Sequence, residues 1–167
     1  MPTLASDAGR ACAYPQARIL VGMSFGAAAD RGRTLAASAP CPCGGGEYGS
    51  CCGPVLAGGP AASPEALMRS RFTAFALGDV GHLRASWHPA TVPDALDLDD
   101  AVRWERLEIL RADGGRNADR RGTVEFRAHW RDVRTGERGV LSEISRFRRA
   151  GESWLYLDGA IEPTGRA

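Results

Sequence analysis

Apolar and polar residues alternate along four stretches in the second half of the chain, near residues 103–111, 123–132, 139–149 and 153–158. The second stretch shows the pattern at every position: Val124, Glu125, Phe126, Arg127, Ala128, His129, Trp130 and Arg131. Successive side chains of a strand point to opposite faces, so this alternation is typical of a half-buried antiparallel strand. Polar turns separate the stretches, which predicts a meander of four strands.

Helical signals precede these strands. Ser63-Pro64-Glu65 provides an N-cap hydroxyl, a proline at the first helical position and an acid near the positive end of the helix dipole. Met68, Phe72 and Phe75 then recur on one face until Gly78 ends the helix.

A second helical piece is predicted from about Val80 to Trp87, because the ring of Pro89 cannot continue a helix. Residues 93–102 are predicted to hold a third short turn. Helices followed by a strand meander predict an α+β domain.

The rest of the chain divides by composition. Residues 1–39 are rich in alanine, glycine and arginine without helical or strand periodicity, which predicts a disordered leader. Residues 40–53 hold a cysteine-glycine knuckle, and Gly58-Gly59-Pro60 predicts a flexible link into an α+β domain over 63–161. Met23 offers a second position at which translation could start.

The net charge of the 167 residues is +1, which argues against nonspecific binding to nucleic acid or anionic lipid. No apolar run reaches the ~18 residues that cross a bilayer, so no membrane span is predicted. A signal peptide is the competing interpretation of the longest run, residues 19–29. Asp30, Arg31 and Arg33 separate that run from the small residues 37–39, and we therefore expect a cytoplasmic protein.

Four of the five cysteines lie within twelve residues, as Cys41, Cys43, Cys51 and Cys52. Two close pairs of thiolates can supply the tetrahedron of soft donors that Zn²⁺ prefers. Disulfides or free thiols are the alternatives, but adjacent cysteines bridge to each other only with strain, and a cytoplasmic chain favours metal. With four protein thiolates no coordination position stays open, so the sequence predicts one structural Zn²⁺. Cys12 is most simply a free thiol.

The knuckle and later motifs occur in a specific order. Cys41-Pro42-Cys43-Gly44 with Tyr48 and Cys51-Cys52-Gly53 resembles the SEC-C motif, the zinc knuckle at the tail of the SecA translocation ATPase. The motifs that follow are Ala66-Leu67-Met68-Arg69-Ser70-Arg71-Phe72, Trp87-His88-Pro89, Glu143 with Ser145-Arg146-Phe147, and Trp154-Leu155-Tyr156-Leu157-Asp158-Gly159. Together, over about residues 40–160, the set resembles the YchJ-like family of bacterial proteins.

That resemblance implies a SEC-C knuckle over 40–53 joined to a nuclear transport factor 2-like domain, a cone of N-terminal helices packed on a curved antiparallel sheet of about four strands. The knuckle lacks the lysines of the SecA tail, so the partners of that tail are not implied.

The resemblance also implies a pocket on the concave side of the sheet, where domains of this shape bind small molecules or partners. The candidate pocket residues are polar or aromatic: Arg69, Arg71, Trp87, His88, Glu143, Ser145, Arg146, Tyr156 and Asp158. A structural interpretation competes, in which Glu143 and Arg146 form an ion pair with Arg69 or Arg71 that fixes the helix on the sheet, and His88 caps a helix end. We favour the ion pair, and no residue is assigned a catalytic role.

The chain contains no GxSxG, HExxH, Walker or GxGxxG motif. The leading hypothesis is therefore a zinc-binding interaction or adaptor module with its contact surface around Tyr48. An enzyme is not expected. The alternative is ligand binding or enzymatic activity in the concave pocket. An open polar cavity would favour that alternative, and a cavity plugged by aromatic side chains would favour the interaction module. Nucleic-acid binding through Arg127, His129 and Arg131 has the weakest support, because aromatic stacking partners are not interleaved with those charges on their face of the strand.

Overall fold

The computed structural model describes residues 32–161. A short 3-10 turn leads through three helices into four strands, with the bounds Tyr48–Ser50 for the turn, α1 Gly53–Leu56, α2 Pro64–Leu77, α3 Val80–Ala85, β1 Val102–Asp113, β2 Arg121–Asp132, β3 Arg138–Ala150 and β4 Ser153–Ile161. The α+β prediction is thus confirmed, and the strands occupy the four stretches of alternating residues. Between α3 and β1 the chain forms a loop without a helix.

Helix α2 begins at the predicted cap. Ser63 Oγ accepts a hydrogen bond from the Ala66 N–H at 3.1 Å, and Pro64 occupies the first helical position. Such a cap satisfies one of the free N–H groups in the first turn of a helix. The helix ends at Gly78, whose φ of 78° lies in the left-handed region that glycine adopts without steric cost.

The four strands form one sheet in the order β1-β2-β3-β4, with every neighbouring pair antiparallel. One face of the sheet packs on α2 and carries its buried side chains: Leu107, Val124, Phe126, Ala128, Leu141, Phe147, Trp154 and Tyr156. Register shifts interrupt the pairing twice between β1 and β2 and once between β3 and β4. Such irregularities bend strands and so curve a sheet.

The cysteine segment packs directly on α2. Three of its cysteines are buried in the same cluster as Leu67, Met68 and Phe72. At the far end of the predicted flexible link, Ala61 is buried and its N–H donates to Ser153 Oγ at 3.2 Å. The knuckle therefore shares the main core, whereas the sequence predicted an appendage on a flexible link.

Residues 32–39 also contact the fold, although the sequence predicted a disordered leader through residue 39. The Arg33 N–H donates to the Leu77 carbonyl at the end of α2, at 2.9 Å. At the other end of the segment, the Ala37 carbonyl accepts from the Gly49 N–H at 2.8 Å. This part of the predicted leader thus joins α2 to the 3-10 turn.

The remainder of the predicted leader, including Cys12, lies outside the described residues, as do residues 162–167. Among the helices of residues 32–161, none is both long and apolar enough to cross a membrane.

Candidate functional site

The four cysteines meet because the glycine-rich loop folds back on itself. The Cys41 N–H donates to the Gly46 carbonyl at 2.8 Å, and the Gly44 N–H donates to the Cys41 carbonyl at 2.9 Å. Gly44 and Gly46 have φ values of 77° and 120°, where residues with a Cβ are strained. Cys52 is the N-cap of α1, so the start of this helix holds the second pair of thiols beside the first.

The distances between the sulfur atoms are close to those of a tetrahedral metal site. Cys43 Sγ lies 3.5 Å from Cys41 Sγ, 3.4 Å from Cys51 Sγ and 3.5 Å from Cys52 Sγ, and all four sulfur atoms lie within 4.8 Å of one another. Sulfur atoms ~2.3 Å from a tetrahedral Zn²⁺ would stand ~3.8 Å apart. A disulfide bond is much shorter, at ~2.05 Å. The four cysteines that the sequence singled out could therefore bind one metal ion together.

The thiols of Cys43, Cys51 and Cys52 have shifted pKa values, one lowered and two raised. A hydrogen bond with Cys52 is the main cause that lowers the pKa of Cys43 to about 4. Burial raises the pKa of Cys51 to about 11, and the hydrogen bond with Cys43 raises the pKa of Cys52. The neighbouring thiols thus stabilise the Cys43 thiolate, whereas ionisation of Cys51 and Cys52 becomes less favourable. A cation among the sulfur atoms would offset that cost, because cysteine binds metal as the thiolate.

Helix α2 presents two polar side chains to this cluster. Thr73 Oγ1 lies 3.6 Å from Cys41 Sγ. Arg69 Nη1 donates to the Cys43 carbonyl at 3.2 Å, and Arg69 forms an ion pair with Glu65 at 2.8 Å. The structure therefore places Arg69 at the cysteine cluster instead of at the concave face. Thr73 was not among the candidate residues, although it lies one helical turn after Arg69 and hence on the same helix face.

A second group of polar residues lies between α2 and the sheet. Arg71, Glu143, Ser145 and Tyr156 line one cavity. The Glu143 carboxylate accepts hydrogen bonds from Ser145 Oγ at 2.6 Å and from Tyr156 Oη at 3.3 Å. Arg71 Nη1 donates to Ser86 Oγ at 2.8 Å. Of the nine candidate pocket residues, these four are the ones that the structure brings together around the cavity.

Burial is the main influence on the pKa of Glu143. It raises the pKa of this carboxyl group, although the hydrogen bonds from Ser145 and Tyr156 and the charge of Arg71 act in the opposite direction. The Arg71 guanidinium lies over the Tyr156 ring at 4.3 Å and over the Trp87 ring at 4.8 Å, which are favourable cation–π distances. Of the two arginines that the sequence offered as partners of Glu143, Arg71 lies near the carboxyl group, whereas Arg69 lies at the cysteine cluster.

Aromatic side chains fill the rest of the cavity. Its remaining walls are apolar: Met68, Phe72, Phe75, Trp104, Phe126, Ala128 and Leu141. The Trp104 ring packs against Phe72 and Phe75 with centroids 6.2 and 5.9 Å away. The cavity volume is about 20 Å³, which holds about one water molecule, whereas ligand pockets occupy ~300–1,000 Å³. This is the plugged cavity that the sequence analysis associated with an interaction module.

The other candidate pocket residues do not line this cavity. Arg146 pairs with Asp158 at 2.5 Å. Residues three apart on a strand face opposite sides, and Glu143 faces α2, so Arg146 lies on the outer face of the sheet. The His88 N–H donates to the Tyr156 carbonyl at 2.7 Å, which ties the end of α3 to β4. Trp87 packs edge-to-face on the Tyr156 ring at 4.9 Å.

A wider depression borders the cysteine segment, and we call it the knuckle groove. Its volume is about 760 Å³, and its walls come from four separate stretches of chain: residues 32–37, Tyr48 and Gly49, residues 53–58, and α3 with Asp79. His82 lies at the α3 wall, with Nε2 3.0 Å from Ser70 Oγ. No sequence pattern predicted this groove, because hydrophobic patterning shows which faces are buried but not which loops meet.

Comparison with known proteins identifies relatives that match about three-quarters of the chain. A family model described as "YchJ, middle NTF2-like domain" matches residues 63–159. The UPF0225 protein of Chromobacterium violaceum is 46% identical over 132 residues, which cover 75% of this chain and 95% of that protein. The UPF0225 protein of Streptomyces coelicolor is 50% identical over 123 residues, which cover 72% of this chain and 94% of that protein.

Two solved structures share the fold. A SEC-C motif containing protein from Rhodopseudomonas palustris, determined in solution, is 36% identical with a TM-score of 0.66, and the match covers 75% of this chain and 100% of that one. A SEC-C motif containing protein from Psychrobacter arcticus is 24% identical with a TM-score of 0.58, over 76% of this chain and 84% of that one, which supports the fold alone. The chain therefore belongs to the YchJ-like family, and its residues 63–159 form the nuclear transport factor 2-like domain of that family.

Proposed function

We propose that this protein is a cytoplasmic zinc-binding interaction module, in which one structural Zn²⁺ rigidifies a contact surface for a protein partner. The observation that carries the proposal is the cluster of Cys41, Cys43, Cys51 and Cys52, whose sulfur atoms lie within 4.8 Å of one another. Four thiolates complete the tetrahedral coordination of zinc and leave no position for water or substrate. The ion would therefore have a structural role.

The knuckle groove is the contact surface that the geometry favours. Tyr48 forms part of its wall, and the adjacent chain carries Cys51 and Cys52. A metal ion on these cysteines would fix that wall in place. The groove is open to solvent, as a surface for a protein partner must be, and its volume of about 760 Å³ is far larger than that of the cavity under the sheet.

Two alternatives have less support. Ligand binding at Glu143 and Arg71 is favoured by the convergence of polar groups there, but a volume of about 20 Å³ admits little more than water. Nucleic-acid binding through the outer face of β2 is disfavoured because glutamates lie against two of its three basic side chains. His129 Nε2 lies 3.4 Å from Glu108. Arg131 pairs with Glu105 at 2.9 Å on that face.

A binding experiment with paired variants tests the proposal. The immobilised full chain is used to capture partners from a cytoplasmic extract, and the zinc content of each variant is measured beside its captured proteins. Cys51→Ser removes one thiolate of the cluster, and Cys12→Ser is its matched control outside the described residues. Ala57→Arg places a bulky charge in the knuckle groove, and Ala118→Arg makes the same change on the exposed hairpin after β1.

We expect one set of partners to be captured by the parent and by both controls, and to be lost with Cys51→Ser and Ala57→Arg. Zinc should be retained by Ala57→Arg, because that residue is not a ligand. Capture that is unchanged by both Cys51→Ser and Ala57→Arg would contradict an interaction surface at the knuckle.

A further inference from the structure

We infer that helix α2 supplies the outer coordination shell of the metal centre, with Thr73 donating a hydrogen bond to the Cys41 thiolate and Arg69 offsetting the charge of the cluster. The inference rests on the proposed metal site and deepens it. A knuckle on a flexible link would be a self-contained site, whereas here residues of the α+β domain complete the site.

Thr73 is placed to hold one ligand. It is fully buried, and its Oγ1 lies 3.6 Å from Cys41 Sγ, a distance suited to a hydrogen bond with sulfur. A metal-bound thiolate has no proton, so the hydroxyl group would be the donor. Donors in this position orient a ligand and tune how strongly it binds the metal. A buried hydroxyl group also needs a partner, and the Cys41 sulfur provides one.

Arg69 is placed to balance charge. Four thiolates around a divalent cation carry a net charge of about −2, which is costly to bury without a nearby cation. Arg69 Nη1 donates to the Cys43 carbonyl at 3.2 Å, and Glu65, one turn earlier on α2, holds the guanidinium at 2.8 Å. A Cβ at Gly45 would stand 4.0 Å from Arg69 Nη1 and 3.3 Å from Cys43 Sγ, so the guanidinium lies close to the cluster.

Both side chains come from one face of one helix. Arg69 and Thr73 are four residues apart, so they lie one above the other on α2. Three of the cysteines share a buried cluster with Leu67 and Phe72 of the same helix. Metal binding and the packing of α2 on the knuckle should therefore stabilise each other.

The rate of metal release tests this inference. The zinc-loaded full chain is mixed with a chromophoric chelator, and zinc transfer is followed for the parent, Thr73→Val, Thr73→Ser and Thr123→Val. Thr123 faces the outer side of the sheet and provides the matched control. We expect Thr73→Val to release zinc about 10- to 100-fold faster, and Thr73→Ser and Thr123→Val to behave like the parent. The absorption of the cobalt-substituted protein reports on the thiolates, and its sulfur-to-cobalt bands should shift in Thr73→Val alone.

Arg69→Met and Arg69→Lys provide a second test should Thr73→Val fail to fold. Release should be faster for Arg69→Met, and Arg69→Lys should recover part of the difference because it keeps the charge. Release rates and cobalt spectra like those of the parent in both Thr73→Val and Arg69→Met would overturn the inference. That result differs from failure of the proposed zinc site, in which the parent itself would bind no zinc.

Discussion

Glu143 is a carboxyl group on the helix-facing side of β3, almost fully buried and hydrogen-bonded to Ser145 and Tyr156. Its raised pKa means that burial outweighs the favourable charge of Arg71. In the parent, the folded state therefore keeps this proton to a higher pH than the unfolded chain does. Stability contributed in this way is present at low pH and is lost as the pH rises through the folded-state pKa.

Glu143→Gln should remove that dependence, because the amide cannot ionise but can still accept the same hydrogen bonds. We expect the free energy of unfolding of the variant, relative to the parent, to increase from pH 4.5 toward pH 8. Urea unfolding at several pH values measures the difference. A relative stability that instead decreases with pH would show that the pair with Arg71 dominates, as the ion-pair hypothesis from the sequence proposed.

The lowered pKa of His82 predicts the opposite pH dependence, a loss of stability as the pH falls. Burial, with a smaller contribution from Arg71, lowers its pKa to about 4, although Asp79 acts to raise it. The unfolded chain takes up this proton below about pH 6.5, so the parent should lose at most about 3 kcal/mol between pH 6.5 and 4. His82→Gln should show a shallower decline in unfolding free energy over that range, with His129→Gln as the matched loss of a histidine. Identical slopes for the parent and His82→Gln would refute the assignment.

Among the elements, α2 connects the sheet, α3 and the cysteine knuckle. It packs on the sheet through Phe72, on α3 through Arg71, and on the knuckle through Thr73. Its N-terminal cap should therefore influence stability as a whole. We expect Ser63→Ala to lower the free energy of unfolding by about 0.5–2 kcal/mol, the usual cost of a lost cap.

Chemical denaturation with the zinc content held constant measures this cost, and Ser50→Ala, in the exposed 3-10 turn, is the control. A variant as stable as the parent would mean that the hydrogen bond from the Ala66 N–H to Ser63 Oγ contributes nothing.

Local sequence signals predicted the helices and strands but not the tertiary contacts between them. The alternation from Val124 to Trp130 predicted a strand because burial on one face leaves a period of two, and Ser63-Pro64 predicted a helix start because caps are local. The contact between Cys41 and Thr73 spans 32 residues, and no local period records it. The outward direction of Arg146 depends on strand parity, which the ion-pair hypothesis overlooked. The cysteine cluster was predictable because its ligands lie within one short loop.

At the scale of the whole molecule, residues 32–39 fasten the knuckle to α2. The hydrogen bonds of Arg33 with Leu77 and of Ala37 with Gly49 would be lost by their deletion, at about 1 kcal/mol each. A chain lacking residues 1–39 should therefore melt several degrees below a chain lacking residues 1–31. Differential scanning calorimetry of the two zinc-loaded chains measures the difference. Equal melting temperatures would contradict a stabilising role for this segment.

Removing the proposed zinc ion should destabilise the whole fold, because the knuckle shares its core with α2. We expect a chelator to lower the melting temperature of the parent in one cooperative transition. An unchanged melting temperature of the α+β domain after complete zinc removal would show that the knuckle and the domain are independent.

The proposed function depends on one zinc ion held by Cys41, Cys43, Cys51 and Cys52. The most direct measurement is the metal content of the full chain purified under reducing conditions, together with a count of reactive thiols before and after denaturation in the presence of a chelator. We expect about one zinc per chain, with the four cluster thiols protected until the metal is removed, and little zinc in Cys51→Ser. A chain that contains no zinc and whose four cluster thiols react freely in the native state would rule out the zinc site.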